Sequence, residues 1–285
     1  MKKLPIYFSI DFEDFFFDTC RDIGHKCPGQ RKSALDKSYV LIKNICEKYL
    51  DNKKITFFVT GILTEKYPEI IKKIHNDGHE IGCHYYFHDK IKDANRNEFI
   101  SNLDKAIKII ENVTGESPLG FRAPFFAIDE SNDWAYEEIA KRFKYDSSFK
   151  TPKQIEEINY FNNDIYFKNF REFYIYEHSI FFNLFKFRTG GSYLRLFSAN
   201  KLKIALENTY KKGHLPLLYL HPYDITQNQE FKLSWNDLSP LTINKRIYFW
   251  LRQLQWSKLG HRTVEEKIKH IFEFFEHQGP MKDAL

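Results

Sequence analysis

Two histidines and a group of acidic residues have the types and spacing expected of a metal-dependent hydrolase. His84 and His88 are four residues apart. If the segment between them turns helically, both imidazole rings lie on one face and can share a metal ion. Asp11, Glu13 and Asp14 follow an apolar run near the N-terminus. Two histidines and one carboxylate, with a fourth position open to water, form a common catalytic zinc site.

The same histidines also have a purely structural interpretation. Histidines four residues apart arise often by chance, and in a packed core His84 and His88 would be ordinary hydrogen-bonded side chains. Apart from His221, the other histidines have no ligand spacing tied to these segments. We interpret them as surface or core residues: His25, His75, His79, His178, His214, His261, His270 and His277.

Alternating strand and helix patterns predict a mainly parallel sheet that positions these residues. Apolar, β-forming runs predict strands over residues 5–10, 55–60, 79–83, 120–122 and 215–220. Helical spacing predicts helices over residues 37–52, 68–76, 99–113, 134–143 and 264–275. The first, third and last strands lead directly into Asp11, His84 and His221. Barrel enzymes carry their chemistry at the carboxyl ends of strands, so we predict one α/β barrel-like domain.

Composition and charge exclude several classes of protein. The 285 residues are 42% hydrophobic and 28% charged, which excludes a disordered chain, a collagen-like repeat and a disulfide-stapled miniprotein. The net charge of +5 is interpreted as a mild excess spread along the chain, so we expect no nucleic-acid partner. No stretch reaches the roughly 18 consecutive apolar residues of a transmembrane segment.

The cysteines and the N-terminal segment predict a cytoplasmic protein. The apolar run at residues 4–10 is too short for a signal peptide and has no small-residue cleavage site. The cysteines show no CxxC spacing, so we expect reduced, buried thiols at Cys20, Cys27, Cys46 and Cys83.

A series of short segments, in order, makes the chain resemble the polysaccharide deacetylases of carbohydrate esterase family 4, which share the nodulation-type deacetylase domain. The segments are Ser-Ile-Asp-Phe-Glu-Asp-Phe-Phe at 9–16, Gly-Phe-Arg-Ala-Pro-Phe at 120–125, Leu-Tyr-Leu-His-Pro at 218–222, and residues 55–61, 78–88 and 145–148. The first segment looks closest to the branch found with exopolysaccharide and surface-glycan clusters. The resemblance implies a distorted (β/α) barrel of about seven parallel strands. It implies a single domain over residues 1–285, with a core at 5–225 and a C-terminal helical part at 240–277.

The resemblance also implies three catalytic roles. Asp11 matches the family's general base, which takes a proton from the attacking water. Arg122 matches the arginine that pairs with this aspartate and orients it. His221 matches the general acid that protonates the departing amine, a role that suits an imidazole with a pKa of about 6.5.

By the same resemblance, His84, His88 and one carboxylate hold a divalent metal ion, with Zn²⁺ as the first choice. The family usually has two adjacent aspartates, the second of which binds the metal, but here a phenylalanine separates Asp11 from the next acid. Strand alternation places Asp11 and Glu13 on one face and favours Glu13. A kink at the end of the strand would favour Asp14, so both carboxylates stay candidates.

Two more motifs carry supporting roles by resemblance. Pro124 completes an Arg-x-Pro motif, and it is followed by Phe125 where the family often has tyrosine. The backbone N–H of Phe125 would face the developing oxyanion. Asp146 resembles a family segment thought to hold or tune His221, although a turn or helix-capping role is equally consistent. Asp224 is a second candidate partner of this histidine.

The activity implied is metal-dependent removal of the N-acetyl group from an amino sugar in a polysaccharide or glycan precursor, with release of acetate. Two alternatives stay open. The first is hydrolysis of another linear amide, such as an N-formyl group on a lipid-linked amino sugar. The second is a catalytically inactive domain that binds glycans. The presence of His84 and His88 argues against a metal-free relative.

Three segments of the C-terminal half have no assigned chemistry. Residues 190–193, Gly-Gly-Ser-Tyr, are interpreted either as a substrate-lining loop or as a tight turn. Thr263 and Glu266 have the spacing of a capping box that opens the last helix. The third segment has a helical apolar stripe, which predicts a buried face: Ile243, Ile247, Trp250, Leu251 and Leu254.

The opposite face of this third segment is basic and aromatic. Its residues are Lys245, Arg246, Phe249, Arg252 and Trp256. We interpret this face as solvated, with a peripheral contact to a membrane carrying a lipid-linked glycan as the alternative.

Overall fold

A computed structural model describes residues 2–25, 32–151, 153–154, 170–180, 184–226 and 231–285 of the chain. Its strands are β1 (Leu4–Phe12), β2 (Thr56–Val59), β3 (Glu80–Cys83), β4 (Gly120–Phe121), β5 (Tyr145–Asp146), β6 (Arg171–Glu172), β7 (Glu177–Ile180), β8 (Phe185–Arg188), β9 (Leu217–Leu220) and β10 (Phe275–His277).

The helices lie mainly between these strands. They are α1 (Phe15–Asp22), α2 (Lys32–Tyr49), α3 (Gly61–Lys66), α4 (Pro68–Asn76), α5 (Arg96–Thr114), α6 (Trp134–Ala140), α7 (Gly191–Leu196), α8 (Ala199–Lys211), α9 (Pro222–Ile225), α10 (Ile243–Lys258) and α11 (Val264–Phe274).

Parallel strands form one curled sheet, which confirms the expected barrel class with about seven strands. The strands β1 to β6 pair in sequence order. The free edge of β1 is shared by two later strands: Leu4–Ile6 pairs with β10, and Tyr7–Ile10 pairs with β9. The sheet is therefore seven strands wide. Among the described residues β6 and β9 do not pair, so the barrel is left open.

Strand β1 is buried on both faces. Ile6, Phe8, Ile10 and Phe12 belong to the large core between the sheet and its helices. The alternate residues, from Tyr7 to Asp11, point to the interior of the barrel. This alternation explains why the apolar run leads directly to buried acids at the carboxyl end of the strand.

Residues 275–285 cover the amino-terminal end of the sheet. After β10, Met281 enters the interior cluster that also contains Tyr7. Its backbone N–H donates to Thr56 Oγ1 at 2.8 Å, and the N–H of Lys282 donates to Glu80 Oε2 at 3.1 Å. These bonds join the C-terminal segment to the start of β2 and of β3.

Two local predictions are wrong. The segment between His84 and His88 is a series of bends rather than a helical turn, and Tyr85 has a φ of 65°. No side-chain capping bond opens α11, because the Thr263 hydroxyl donates to the carbonyl of Gly260 at 2.9 Å.

The predicted burial of the apolar stripe on α10 is also wrong. Ile243 and Leu251 are 59% and 58% exposed, and Ile247 and Trp250 are exposed as well. The helix instead turns Phe249 towards a small cluster with residues of α1 and of the 231–241 segment. Helical periodicity identified a continuous apolar face, but it carries no information about what covers that face.

Three of the four predicted thiols lie in described parts of the chain. Cys20, Cys46 and Cys83 are free and buried, as expected. Cys27 lies outside the described residues. Among the helices that the structure describes, none combines the length and apolar character needed to cross a bilayer.

Candidate active site

The predicted site residues come together at the carboxyl ends of neighbouring strands. Asp11 is near the end of β1 and Glu13 follows it, while His84 and Arg122 come directly after β3 and β4. His221 follows β9, the strand that pairs with β1. Together with His88, the carboxylates and imidazoles of this group line a cavity of about 540 Å³.

Glu13, His84 and His88 form a cluster with metal-ligand geometry. One ligand atom from each lies within 4.8 Å of the others. Glu13 Oε2 is 2.7 Å from His88 Nε2 and 3.9 Å from His84 Nε2. His84 Nδ1–H donates to the carbonyl oxygen of Arg122 at 2.7 Å, which fixes its tautomer and leaves Nε2 facing the cluster.

The residues of this cluster fit a divalent cation. Glu13 is 2% exposed, and its Oε2 is buried without an aligned hydrogen-bond donor, despite its short distance to His88. Burial would raise the pKa of Glu13, but the charges of His88 and His221 outweigh burial and lower it. A buried carboxylate facing two imidazole nitrogens needs a positive charge between them, and one carboxylate with two histidines is a suitable donor set for Zn²⁺.

The two histidines of the cluster have opposite electrostatic environments. Burial, reinforced by the neighbouring charge of His88, lowers the pKa of His84 to about 3. Burial also acts to lower the pKa of His88, but the Glu13 carboxylate overcomes it and raises that pKa to about 9. Without a cation, the buried carboxylate is therefore neutralised by a proton on His88.

Asp14 lies outside the cluster. Its carboxylate accepts a hydrogen bond from the backbone N–H of Phe17 at 3.2 Å and caps the N-terminus of α1. Of the two candidate carboxylates, the structure brings only Glu13 to the histidines. The strand alternation that favoured Glu13 continues one residue beyond β1.

Arg122 orients Asp11. Its Nη1 donates to Asp11 Oδ1 at 2.5 Å and to Ser9 Oγ at 2.9 Å. Its Nη2 donates to Ser147 Oγ at 2.9 Å. Both charged groups are almost fully buried. The other carboxylate oxygen, Oδ2, is left facing the cavity, 3.9 Å from His221 Nε2.

The carboxylate beside His221 belongs to Asp224. His221 Nδ1 is 2.7 Å from Asp224 Oδ2, which also accepts the backbone N–H of His221 at 3.0 Å. Arg195 Nε donates to the other oxygen of Asp224 at 2.8 Å. Burial lowers the pKa of His221, but the Asp224 carboxylate outweighs burial and raises it.

Asp146, the family-based candidate for this role, holds a different contact. Its carboxylate accepts bonds from the hydroxyl and the backbone N–H of Ser148, at 2.7 and 2.9 Å. The Ser148 hydroxyl oxygen accepts the backbone N–H of Ala123 at 2.8 Å. Burial raises the pKa of Asp146 to about 6. Asp146 therefore supports the loop after Arg122, which corrects the expectation that it holds His221.

Phe125 lines the cavity, whereas the preceding Pro124 is not one of its lining residues. Pro124 is buried, while Phe125 is 47% exposed and has a φ of 58°. The ring of Phe125 packs over the ring of His88, with the centroids 4.4 Å apart. This places the residue beside the metal-ligand cluster.

The Gly-Gly-Ser-Tyr segment combines both interpretations given to it. Gly190 forms a bridge with Tyr219 of β9, and Gly191 has a φ of 51° at the start of α7. Ser192 and Tyr193 then line the cavity. The turn is what aims the next two side chains at the site.

Four residues of the site were not identified from the sequence: Asp18, Ser147, Arg188 and Arg195. Asp18 lines the cavity from α1, and burial followed by the neighbouring carboxylates raises its pKa well above the usual value. Ser147 lies within a matched segment, so the motif itself was an available signal. Arg195 and Asp224 are 29 residues apart, and no local pattern predicts that they pair.

Comparison with known sequences relates one part of the chain to a known family. Residues 45–145 match the polysaccharide deacetylase family model. The chain is similar to a peptidoglycan-N-acetylglucosamine deacetylase of Bacillus cereus, at 38% identity over 88 residues. That alignment covers 30% of this chain and 32% of the relative. Chitin deacetylase 1 of Saccharomyces cerevisiae is 37% identical over 78 residues, which are 27% of this chain and 26% of the relative. The chain thus spans about a third or less of the length of these curated relatives.

Comparison with solved structures supports the fold. A Mycobacterium smegmatis protein named after the polysaccharide deacetylase family superposes with a TM-score of 0.59 at 17% identity, covering 99% of this chain and 89% of that one. The PuuE allantoinase superposes with a TM-score of 0.51 at 14% identity, covering 93% and 89%. These likenesses concern the fold alone. The family model therefore relates residues 45–145 to the polysaccharide deacetylases, and the solved structures relate the fold of the chain to that of these two proteins.

Proposed function

We propose that this protein hydrolyses the N-acetyl group of an amino sugar in a glycan and releases acetate. One observation carries the proposal: a base, a ligand cluster and an acid meet in one cavity. His221 Nε2 lies 3.9 Å from Asp11 Oδ2 and 3.9 Å from Glu13 Oε1. A scissile amide between these groups would have proton-accepting and proton-donating side chains on either side.

Glu13, His84 and His88 would hold the metal ion, with Zn²⁺ as the first candidate. When bound, such an ion supplies Lewis-acid chemistry, because it acidifies water and polarises a carbonyl oxygen. Glu13 comes from the segment after β1, whereas His84 and His88 come from the segment after β3, and Glu13 and His84 are buried. His84 is held for this task by its bond to the Arg122 carbonyl.

Asp11 and His221 would move the protons. Asp11 Oδ1 is occupied by Arg122, so Oδ2 accepts the proton of the attacking water. His221 Nδ1–H donates to Asp224, so the protonated ring carries its second proton on Nε2 and donates that proton to the departing nitrogen. Tyr223 stacks on the His221 ring at 4.8 Å and keeps its plane fixed. The backbone N–H of Phe125, beside His88, would stabilise the oxyanion.

The test combines metal analysis with product release. The purified full chain, loaded with Zn²⁺, is incubated with N-acetylglucosamine oligosaccharides, and free acetate is measured. We expect about one ion per chain and acetate release that falls by several orders of magnitude in Asp11→Asn and His221→Ala. Lys212→Gln, an exposed substitution outside the cavity, is the matched control. Near-wild-type release from the Asp11 variant would overturn the proposal.

Two arms of the same assay address the alternatives. The names of the curated relatives make N-acetylglucosamine polymers the first substrates to test. A matched N-formyl oligosaccharide separates deacetylation from deformylation, since formate and acetate are measured independently. Glycan binding without release of either acid, in a metal-loaded chain, would support the inactive domain instead.

We also propose a peripheral contact between α10 and an anionic lipid surface. The exposed apolar residues Ile243, Ile247 and Leu251 recur every four residues and form one line along the helix. No acidic residue occurs between Asp237 and Glu265, a stretch that contains Lys245, Arg246, Arg252, Lys258 and Arg262. Five positive charges equal the net charge of the whole chain, so the excess is concentrated here rather than spread. Arg252 lines the cavity, but Lys245, Lys258 and Arg262 are exposed, so anionic headgroups would meet an exposed apolar line with basic residues near it.

The position of α10 connects this surface to the cavity. Phe249, Arg252 and Gln255, on the inner side of the helix, line the cavity wall. A membrane bound by the outer side would therefore lie beside the opening of the site. Such an arrangement favours a substrate attached to lipid. The cytoplasmic location expected from the sequence stays a prediction, which cell fractionation tests together with this one.

Vesicle sedimentation tests the lipid contact. We expect the full chain to bind vesicles containing phosphatidylglycerol, to bind phosphatidylcholine vesicles at least about tenfold more weakly, and to dissociate in high salt. Ile247→Glu combined with Leu251→Glu should abolish binding, whereas Val40→Glu, at an exposed apolar position of α2, should not. Equal binding of both vesicle types, or full binding by the double variant, contradicts the proposal.

A further inference from the structure

Arg188 is a cation on the cavity wall to which the chemistry above assigns no role. It is the last residue of β8 and lines the cavity. Its Nε is buried and has no hydrogen-bond partner. Over the described residues, no carboxylate forms an ion pair with its guanidinium. The side chain as a whole is only partly buried, so an anion that enters the cavity would reach the guanidinium and complete its hydrogen bonding.

Two other arginines near the site, Arg122 and Arg195, show the contrast. Arg122 is paired with Asp11, and Arg195 with Asp224, in both cases within 2.8 Å. Both therefore have an internal counter-ion and act on other side chains. Arg188 has aromatic neighbours instead: its Cζ is 5.0 Å from the ring centroid of Phe126 and 5.7 Å from that of Tyr193. Aromatic faces hold a guanidinium without neutralising its charge.

Arg188 is connected to His221 through the rings of Phe126 and Tyr219. Phe126 packs against Tyr219, with the ring centroids 5.3 Å apart, and Tyr219 packs against His221 at 5.6 Å. The positive charge of Arg188 also acts to lower the pKa of Tyr219, although burial raises that pKa overall. A group held by Arg188 would therefore belong to the same sugar as the scissile amide or to the adjacent one.

The acidic and the basic residues of the cavity lining come from different elements. The carboxylates that line it come from the end of β1 and from α1: Asp11, Glu13, Asp18 and Asp22. The basic residues come from β8 and α10: Arg188 and Arg252. Arg252 Nη1 donates to Gln255 Oε1 at 2.6 Å, which fixes its position in the wall. The cavity lining thus combines carboxylates from β1 and α1 with guanidinium groups from β8 and α10.

We propose that Arg188 binds an anionic group of the substrate, a carboxylate or a phosphate, and selects acidic amino-sugar glycans over neutral ones. The inference rests on the proposed function, in which the scissile amide lies beside Asp11, Glu13 and His221. The planar guanidinium forms two parallel hydrogen bonds with either anion, which gives geometric selectivity as well as charge.

Calorimetric titration of the zinc-loaded full chain tests the subsite directly. The probes are N-acetylglucosamine, N-acetylmuramic acid and N-acetylglucosamine 1-phosphate, which differ in carrying no anion, a carboxylate or a phosphate. We expect at least one anionic probe to bind about 10- to 100-fold more tightly than the neutral one. The probe with the greater preference identifies the source of the anion.

Variants assign the preference to Arg188. Arg188→Gln should remove the preference for the anion while binding the neutral probe unchanged, which also shows that the variant is folded. Arg188→Lys should retain part of the preference for the anion, because the positive charge remains but the paired N–H donors of the guanidinium are lost. Arg262→Gln, an exposed arginine outside the cavity, should behave as the wild type. Equal binding of the three probes, or a preference that persists in Arg188→Gln, overturns the proposal.

Binding and turnover separate this inference from the proposed function. If the anionic probes bind through Arg188 but neither acetate nor formate is released from any glycan, the subsite stands and the proposed hydrolysis fails. If acetate is released from neutral and acidic glycans with equal kcat/KM, and Arg188→Gln changes neither value, the hydrolysis stands and the subsite fails.

Discussion

At the residue scale, the site depends on which of two adjacent acids faces the histidines. Glu13 is buried against His84 and His88, whereas Asp14 caps α1. We expect Glu13→Gln to lose the bound ion and at least about 100-fold in activity, because a neutral amide is a poor ligand for Zn²⁺. Asp14→Asn should keep both, since asparagine is an equally good helix cap. Elemental analysis and acetate release measure the pair, and metal loss in Asp14→Asn alone would reverse the assignment.

A second residue-scale prediction concerns the pH dependence set by Asp224. Its carboxylate raises the pKa of His221, and His221 must be protonated to act as the acid. Asp224→Asn should lower that pKa, so the alkaline limb of the kcat/KM profile should move to lower pH. We expect kcat/KM at neutral pH to fall about 10- to 100-fold. A profile that drops in height without moving would show that Asp224 acts only by holding the loop.

The site residues that could be predicted from sequence motifs are those that lie at or next to the end of one strand. Asp11, His84 and His221 each follow a strongly apolar strand, so both their element and their common edge were predictable. The sequence leaves the partner of His221 open between Asp146 and Asp224. Asp146 was favoured by resemblance, but the bond is made by Asp224, three residues away in α9. Which of two nearby acids reaches a ring depends on a turn geometry that no periodicity encodes.

At the element scale, the bridge between Gly190 and β9 fixes one wall of the cavity. A Cβ on Gly190 would lie 2.4 Å from the carbonyl oxygen of Tyr219, and backbone cannot move aside. Gly190→Ala should therefore lower the free energy of unfolding by about 3 kcal/mol. Gly115→Ala is the control: Gly115 has a φ of 80° in open space, so it should cost only about 1 kcal/mol. Urea unfolding compares the two, and similar losses would show that the bridge adds nothing.

The helices show which structural features sequence patterns predict and which they do not. The predicted helix over 68–76 matches α4, because Pro68 at its first turn and the glycine after its end are local signals. The apolar stripe on α10 has helical spacing, but Ile243 and Leu251 are exposed. Burial depends on what packs against a helix, and the spacing does not show that. His84 and His88 meet through bends rather than through a helix, with ring centroids 5.3 Å apart.

At the scale of the whole molecule, buried neutral histidines make the fold sensitive to acid. Burial, followed by the charge of Lys54, lowers the pKa of His79 to about 4, and burial also lowers the pKa of His261 and of His277. His79 Nδ1 accepts the backbone N–H of Ile55 at 3.2 Å and joins β2 to the start of β3. In the unfolded chain His79 binds a proton near pH 6.5, whereas in the folded chain it does so only near pH 4. The stability that neutral His79 contributes is therefore full above about pH 6.5 and is lost as the pH falls towards 4.

His79→Gln isolates this contribution. The difference in unfolding free energy between wild type and variant should shrink by up to about 2 kcal/mol between pH 7 and pH 5. Denaturant titrations at both pH values, in zinc-loaded protein, measure it. A difference that stays constant with pH would show that His79 titrates alike in the folded and unfolded chain.

Because one edge of β1 pairs with β9 and β10, this edge stays unpaired until late in translation. Tyr7 pairs with Leu217, and Leu4 with Phe275, so the strand that carries Asp11 gains its second neighbour only after β9 has been made. While the ribosome synthesises the residues between, β1 and β2 present an apolar, unpaired strand edge. An unpaired apolar strand edge promotes aggregation, so slow synthesis before β9 would lengthen the period in which the nascent chain is prone to aggregate.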